Sequence, residues 1–175
     1  MRDVVEIGMG REARRMYGLG EIDLVPARRT RSSKEVSTAW QIDAYRMDIP
    51  VMTHPTDAIV SPSSAIAFNN LGGLAVLNGE GLWARHADPD AAIAELREIV
   101  LEDLSGTRAV MRLQELHKAP IDEELLAAAV QKIRDEGGTV AVRVSPQRAR
   151  ELTPGLVKAG IDLLVVQGTI ISAEH

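Results

Sequence analysis

Two apolar segments in the first half of the chain each end in polar side chains that could bind or react with a small molecule. The polar residues are His54, Thr56, Asp57, Asn78 and Glu80. The histidine is a candidate general base or ligand contact, although a packed histidine with satisfied hydrogen bonds accounts for it equally well. The aspartate could accept hydrogen bonds from a ligand or from its own loop amides. Asn78 and Glu80 could orient a ligand or close their loop.

Two later apolar segments end in a second polar group. Its members are Arg143, Gln167, Gly168 and Thr169. An arginine at the end of a buried strand must bind an anion or pair with a carboxylate, because an unpaired buried charge is costly. The glycine could let a ligand approach the backbone closely, or could form a simple turn. A separate basic cluster, Arg28-Arg29-Thr30-Arg31, could contact phosphate or carboxylate groups or be a solvated loop.

Both groups require parallel strands that end at one edge of a sheet. The apolar runs predict strands that begin at Ile49, Leu74, Thr139 and Ile161, with helices between them. Ser61-Pro62 and Asp88-Pro89 predict helix starts, because serine and aspartate cap a first turn that proline fits. Since parallel α/β folds bind ligands where their strands end, we expect the polar groups to lie together there.

Other patterns complete the predicted organisation. Helices are predicted over residues 106–118, from Pro120 to Gly137-Gly138, and from Ser145-Pro146 to Ala159. A strand that runs from Glu21 and ends at Pro26 and an extended pair over Ser37–Met47 come earlier. The predicted domains are an N-terminal extension, residues 1–47, and a strand–helix domain, residues 48–175.

Composition argues against several classes of protein. The net charge of −5 and the aromatic content of 3% argue against a nucleic-acid-binding protein. The 175 residues contain no cysteine, so thiolate metal sites and a cysteine nucleophile are absent from them, and no histidine spacing indicates a metal site. His86 and His117 are isolated and expected to be solvated. Charges in the first apolar run argue against a signal peptide, and we expect a cytoplasmic protein without membrane partners.

A set of short motifs runs through nearly the whole chain. They are Gly8-Met-Gly-Arg, Ile22-Asp-Leu-Val-Pro, Arg28-Arg-Thr-Arg, Ser37-Thr-Ala-Trp-Gln-Ile, Ile49-Pro-Val-Met-Thr-His-Pro-Thr-Asp, Val60-Ser-Pro, Leu71-Gly-Gly-Leu-Ala-Val-Leu-Asn, Leu77-Asn-Gly-Glu-Gly-Leu, Arg143-Val-Ser-Pro-Gln and Gln167-Gly-Thr. Each is weak alone, but together they resemble the IMP dehydrogenase/GMP reductase family. The similarity is greatest to its IMP dehydrogenase-related branch that lacks CBS domains and is common in actinobacteria.

The resemblance implies an α/β fold that is the N-terminal half of a TIM (β/α)8 barrel, with about four parallel strands and crossover helices after an extension with short strands. A complete barrel needs about 250 residues. Because half a barrel leaves strand edges unpaired and apolar surface open, we expect the chain not to be an autonomous monomer. The missing half barrel or another copy would complete it, and family members are usually homotetramers.

The resemblance also implies a function in purine nucleotide metabolism. The family oxidises IMP to XMP with NAD through a cysteine adduct, or reduces GMP with NADPH. Asp57 matches the family's motif aspartate, Thr56 stands where the family has a nucleotide-contacting methionine, and Gln167 stands where it has an acid that contacts the NAD ribose.

We therefore predict no catalytic residue and no metal ligand in this chain, and two sets of binding residues. The substrate set, for IMP, XMP or GMP, is His54, Thr56, Asp57, Asn78 and Glu80. The set for the cofactor, NAD, is Arg143, Gln167, Gly168 and Thr169. The alternatives are a non-catalytic purine-nucleotide-binding or regulatory relative and a GMP reductase-like enzyme.

Overall fold

The computed structural model describes residues 4–25 and 32–168, which fall into two compact units, one up to Ser37 and the other from Thr38 onward in the sequence. The first unit contains a short antiparallel pair, β1 (Val4–Glu6) and β2 (Glu12–Arg14), and 3-10 turns at Leu19–Glu21 and Ser33–Glu35. The strand predicted from Glu21 to Pro26 is wrong in its described part, because Glu21 ends a 3-10 turn and residues 22–25 pair with no described strand. The basic cluster at residues 28–31 lies outside the described residues.

The second unit begins with an antiparallel hairpin of β3 (Trp40–Ile42) and β4 (Tyr45–Met47), as the predicted extended pair requires. A parallel sheet follows, with β5 (Val76–Asn78), β6 (Ala141–Val144) and β7 (Leu163–Val166) in that order across the described part of the chain. The predicted α/β architecture with a parallel sheet is confirmed.

The first predicted parallel strand is reduced to one bridge, between Met52 and Leu74. The Leu74 N–H donates to the Val51 carbonyl (3.0 Å), and the Thr53 N–H donates to the Leu74 carbonyl (3.0 Å). Pairing stops there for two reasons. Pro50 has no N–H to donate, and the N–H groups of residues 48 and 49 both donate to the carbonyl of Gly72.

Five helices occur in the described part of the second unit. They are α1 (Pro62–Asn70), α2 (Pro89–Glu102), α3 (Thr107–Leu116), α4 (Glu123–Asp135) and α5 (Ala149–Ala159). The two predicted caps are confirmed: Ser61 Oγ accepts from the Ser64 N–H (3.0 Å), and Asp88 Oδ1 from the Ala91 N–H (2.9 Å). No helix in these residues has the length and apolarity to cross a membrane.

Two predicted helix starts are wrong. Pro120 precedes rather than begins α4, because the Asp122 carboxylate caps that helix through the N–H groups of residues 124 and 125. Residues 146–148 form a turn, so α5 begins only at Ala149.

The sheet separates two apolar clusters. One face, with Ala75, Leu77, Val142 and Val144, packs against α1, α4 and α5. The opposite face, with Leu74, Val76, Ala141, Leu163 and Val165, packs against the hairpin β3–β4. Alternation along a strand sends neighbouring residues to opposite faces. The hairpin-side face therefore continues through the next alternate residues, Asn78, Arg143 and Gln167.

Candidate nucleotide-binding cavity

Three polar residues extend the hairpin-side face of the sheet at the carboxyl ends of its strands. Asn78 lies opposite Arg143 in the register of β5 and β6, and Gln167 follows β7 on the same face. The Arg143 Nη2 donates to the Gln167 carbonyl at 2.8 Å. The charge predicted to need an anion or a carboxylate thus has a main-chain acceptor.

The segment after the Met52 bridge forms a second wall. Thr53 anchors it, because its Oγ1 accepts from the Val76 N–H at 2.9 Å. The Thr56 N–H donates to the His54 carbonyl (2.9 Å), and the Thr56 carbonyl accepts from the N–H groups of Ile59 and Val60 (3.0 and 2.9 Å). These bonds turn the chain sharply at residues 54–56 and bring His54 and Thr56 over the sheet.

The two walls enclose a cavity of about 360 Å³. Its lining consists of His54, Pro55, Thr56, Asn78, Arg143, Gln167 and Gly168. Three of the five predicted substrate residues and three of the four predicted cofactor residues therefore meet in one place. The fourth cofactor residue, Thr169, lies outside the described residues. A guanidinium, two side-chain amides, a hydroxyl and an imidazole suit a ligand rich in acceptor oxygens.

Gly168 lies in the cavity wall and packs closely against Pro146 in the turn after β6. A Cβ atom at this position would lie 3.0 Å from the proline Cγ, so a larger residue would require a small shift of the proline.

Asp57 lies behind the cavity wall, with its side chain only 13% exposed. Its Oδ2 accepts from the Leu82 N–H at 2.9 Å, while its Oδ1 is buried and has no hydrogen-bond partner among residues 4–25 and 32–168. Burial raises the pKa of Asp57, and the Leu82 N–H, His117 and Asn78 oppose that shift. The structure thus gives this predicted substrate residue the loop-anchoring arrangement that the sequence left as its alternative.

Glu80 also lies outside the cavity lining. Its carboxylate accepts from the Ser145 N–H, and its carbonyl accepts from the Arg85 Nε at 2.8 Å. The Asn78 Oδ1 in turn accepts from the Glu80 N–H at 3.2 Å. Glu80 thus joins the loops after β5 and β6 and holds the two strand ends that carry Asn78 and Arg143.

His117 is the residue that sequence reasoning missed. It follows α3 directly and was expected to be solvated, but its Nε2 lies 3.9 Å from Asp57 Oδ2 and its side chain is 36% exposed. No local pattern indicates this contact, because the two residues are far apart in the chain. His86 is also not simply solvated, since its Nε2 lies 3.0 Å from the Leu116 carbonyl.

No group of three His, Asp or Glu side chains in residues 4–25 and 32–168 could hold a metal ion.

Comparison with known proteins reveals close relatives of about twice the length. An uncharacterized oxidoreductase from Mycobacterium tuberculosis is 64% identical over 172 residues, which are 98% of this chain and 46% of the relative. Uncharacterized oxidoreductases from Mycolicibacterium smegmatis and Mycobacterium leprae are each 63% identical, with the same coverage. The chain therefore spans about half the length of the curated relatives it matches. No protein-family model matches the chain.

A solved structure shows to which family the chain is related. The crystal structure of an IMP dehydrogenase/GMP reductase-like protein from Corynebacterium glutamicum is 57% identical, with a TM-score of 0.82. The match covers 99% of this chain and 46% of that chain. The resemblance read from the motifs is confirmed: the chain is a half-length relative of an IMP dehydrogenase/GMP reductase-like protein.

Proposed function

We propose that the cavity is a purine-nucleotide site of an IMP dehydrogenase-related oxidoreductase that oxidises IMP to XMP with NAD. The observation that carries this proposal is the meeting of His54, Thr56, Asn78, Arg143 and Gln167 in one cavity at the carboxyl ends of parallel strands. Ligands of parallel α/β folds bind at that end. The relatives named as oxidoreductases support the reaction class.

The chemistry of the lining fits a nucleotide. Arg143 was predicted as a cofactor contact, but we assign it to the purine nucleotide here, because it lies opposite Asn78 in the sheet and lines the same cavity as His54. Its guanidinium can donate to a phosphate or to a keto oxygen. The amide of Asn78 and the imidazole of His54 can pair with the edges of a purine ring or with ribose hydroxyl groups. Gln167 and Gly168 are the described residues we assign to the NAD side of the cavity. When bound, NAD accepts a hydride.

The residues of this chain contribute binding and orientation. No cysteine is present among them, so a covalent thiol adduct of the substrate would need a cysteine from outside these 175 residues. The imidazole of His54 has two ring nitrogens that can form hydrogen bonds with a ligand in the cavity.

We further propose that the parallel sheet is one arc of a (β/α)8 barrel within an oligomer. The outward side chains of β7 support this, because Leu164 and Val166 are 37% and 53% exposed where a further helix would pack. Static light scattering, which measures the molar mass in solution, tests whether the chain forms an oligomer. A monomeric mass together with a sharp unfolding transition would contradict this proposal.

The test of the nucleotide site is isothermal titration calorimetry with IMP, GMP, XMP and ATP. We expect IMP or XMP to bind more tightly than ATP, and Arg143→Gln to weaken binding about tenfold or more, since a hydrogen bond to a charged group contributes about 1.5–3 kcal/mol. Arg97→Gln is the matched control, because it removes the same charge from an exposed position on α2. Equal effects of the two substitutions, or no purine binding, would refute the site.

The test of the reaction is the absorbance of reduced cofactor during incubation of IMP with NAD. We expect turnover by the protein that carries the complete active site, with Arg143→Gln raising KM. GMP with NADPH is the comparison reaction, and turnover of that pair alone would favour a GMP reductase-like enzyme.

A non-catalytic nucleotide-binding protein is the second candidate function. The observation that favours it is the position of His54 and Thr56, because these two departures from the family motif line the cavity itself. Tight calorimetric binding of a purine nucleotide without turnover in either reaction would support this alternative.

A further inference from the structure

We propose that the side chains of Asn78 and Arg143 form a donor floor in the cavity, which takes a ligand group that offers only acceptor oxygens, a phosphate or a keto group. The proposal deepens, and rests on, the assignment of the cavity as a nucleotide site. It states which atoms of the ligand face the sheet and which groups the sheet excludes.

The strand register brings the two side chains to neighbouring positions. Asn78 lies opposite Arg143 in the pairing of β5 with β6, and both residues line the cavity. The Gly79 N–H donates to the Arg143 carbonyl at 2.8 Å, which continues the pairing for one residue beyond β5. Since paired strands lie about 4.7–4.9 Å apart, the two side chains can contact neighbouring oxygen atoms of one ligand.

The groups around Asn78 determine which end of its amide faces the ligand. Its Oδ1 accepts from the Glu80 N–H at 3.2 Å, and because a main-chain N–H can only donate, the atom that faces it is the oxygen. Burial raises the pKa of Asp57, and the Asn78 side chain is among the groups that oppose this rise, as the donor end of an amide does. The amide nitrogen carries two hydrogens, so one remains for the ligand when the other faces Asp57.

Glu80 is held on two further sides, which keeps the Asn78 amide in this orientation. The Glu80 carbonyl accepts from the Arg85 Nε at 2.8 Å, and its carboxylate accepts from the Ser145 N–H in the loop after β6. A reversed amide would turn its NH2 group toward the Glu80 N–H, and two donors would then face each other. Asn78 therefore enters the cavity as a donor.

Arg143 is the second member of the donor floor. A guanidinium donates hydrogen bonds and accepts none. Its Nη2 donates to the Gln167 carbonyl at 2.8 Å. Among residues 4–25 and 32–168, no carboxylate lies within ion-pair distance of this half-buried side chain. A cation in this position favours a ligand oxygen that carries negative charge or a large negative dipole.

The donor floor discriminates between ligand groups by their hydrogen-bonding type. Phosphate and keto oxygens only accept, whereas the amino group of adenine donates and would face other donors. IMP carries both a phosphate and a keto oxygen. Inosine lacks the phosphate, and AMP has an amino group in place of the keto oxygen. These three ligands therefore distinguish the two groups that the floor could take.

The experiment is calorimetry of the full chain with IMP, inosine and AMP, with circular dichroism to confirm folding of each variant. Asn78→Asp keeps an oxygen for the Glu80 N–H but replaces the donor by an acceptor, so ligands that place an acceptor on the floor should bind about tenfold more weakly. Asn78→Ala adds no charge and should weaken the same ligands. Asn70→Asp is the matched control, because it makes the same change at an exposed residue that ends α1.

The pattern of losses identifies the ligand group. A loss for IMP and AMP but not for inosine would assign the floor to the phosphate, and a loss for IMP and inosine but not for AMP would assign it to the keto oxygen. An equal loss for all three ligands, or a loss no greater than that in Asn70→Asp, would overturn the proposal.

The orientation of the Asn78 amide has a readout that does not require a ligand. A strong nuclear Overhauser effect between the Glu80 amide proton and the Asn78 side-chain NH2 protons would show the reversed amide and overturn the proposal. We expect that effect to be weak or absent, because the Asn78 oxygen lies next to the Glu80 N–H. If the parent binds none of the three ligands, the proposed function fails, and this NMR measurement alone decides the orientation.

Discussion

The contact between Gly81 and Asp57 allows a sharp test of how the loops after the strands are held. A Cβ atom at Gly81 would lie 2.0 Å from Asp57 Oδ1, 2.4 Å from Oδ2 and 2.5 Å from Cγ. The backbone itself does not oppose alanine, because φ is −86° at this residue. Gly81→Ala therefore perturbs the structure through the carboxylate alone.

The size of the expected loss of stability follows from the hydrogen bond that the Asp57 carboxylate would lose. Relief of the overlap requires the carboxylate to leave Gly81, which breaks its 2.9 Å bond with the Leu82 N–H. A hydrogen bond to a charged group contributes about 1.5–3 kcal/mol. Alanine offsets this loss of stability by about 0.4–1 kcal/mol, because it restricts the conformations of the unfolded chain more than glycine does. The net expectation is a loss of about 1–2 kcal/mol in the free energy of unfolding.

Urea denaturation of four proteins measures this interaction: the parent, Gly81→Ala, Asp57→Ala and the double variant. In the Asp57→Ala background the carboxylate is gone, so Gly81→Ala should be neutral or stabilising by up to about 1 kcal/mol. Gly20→Ala is a control, because a Cβ atom there meets nothing within 4 Å. An equal cost of Gly81→Ala in both backgrounds would show that Asp57 does not occupy the space beside Gly81, and the loop reasoning would be refuted.

Three further predictions concern the core, the hairpin and pH. Leu77→Ala should lower the free energy of unfolding by about 2–5 kcal/mol in urea denaturation, because Leu77 is completely buried; a loss below about 1 kcal/mol would contradict that packing. Tyr45→Phe should cost about 1 kcal/mol, since it removes the 3.1 Å bond from the Tyr45 hydroxyl to Asp162 Oδ1, and an unchanged free energy of unfolding would contradict that bond. Because burial raises the pKa of Asp57 above 3.8, ionisation opposes folding, so stability relative to Asp57→Asn should increase as pH falls through the folded-state pKa and level off below about 3.8. A constant difference between the two proteins across that range would contradict the burial of the charge.

Local chemistry made the most reliable sequence predictions. Ser61 and Asp88 cap their helices as expected, because a capping side chain bonds N–H groups within its own first turn. The ends of the apolar segments in β5, β6 and β7 likewise predicted that Asn78, Arg143 and Gln167 lie at the same end of the parallel sheet. Both kinds of signal depend on neighbours in sequence, so the sequence alone carries them.

Predictions failed where distant groups decide the outcome. Ser145-Pro146 has the same residues as Ser61-Pro62, but the Ser145 N–H is bound by the carboxylate of Glu80, and the chain makes a turn before α5 starts. The segment from Ile49 forms only one bridge because the N–H groups of residues 48 and 49 donate to the Gly72 carbonyl instead of to a neighbouring strand. The approach of His117 to Asp57 is of the same kind, since it depends on how α3 returns to the sheet.

The chain between β5 and α4 leaves and re-enters the sheet layer at almost one point. The Asp122 N–H donates to the Ala84 carbonyl at 2.7 Å, and the Arg85 guanidinium donates to the Ala119 carbonyl. Helices α2 and α3 thus form an appendage whose stem is closed by these bonds. Its outer end, where Leu101, Leu104 and Met111 are exposed, can therefore change in length or surface without altering the strands. His117 lies beside the stem rather than at the outer end, so such changes would leave its contact with Asp57 in place.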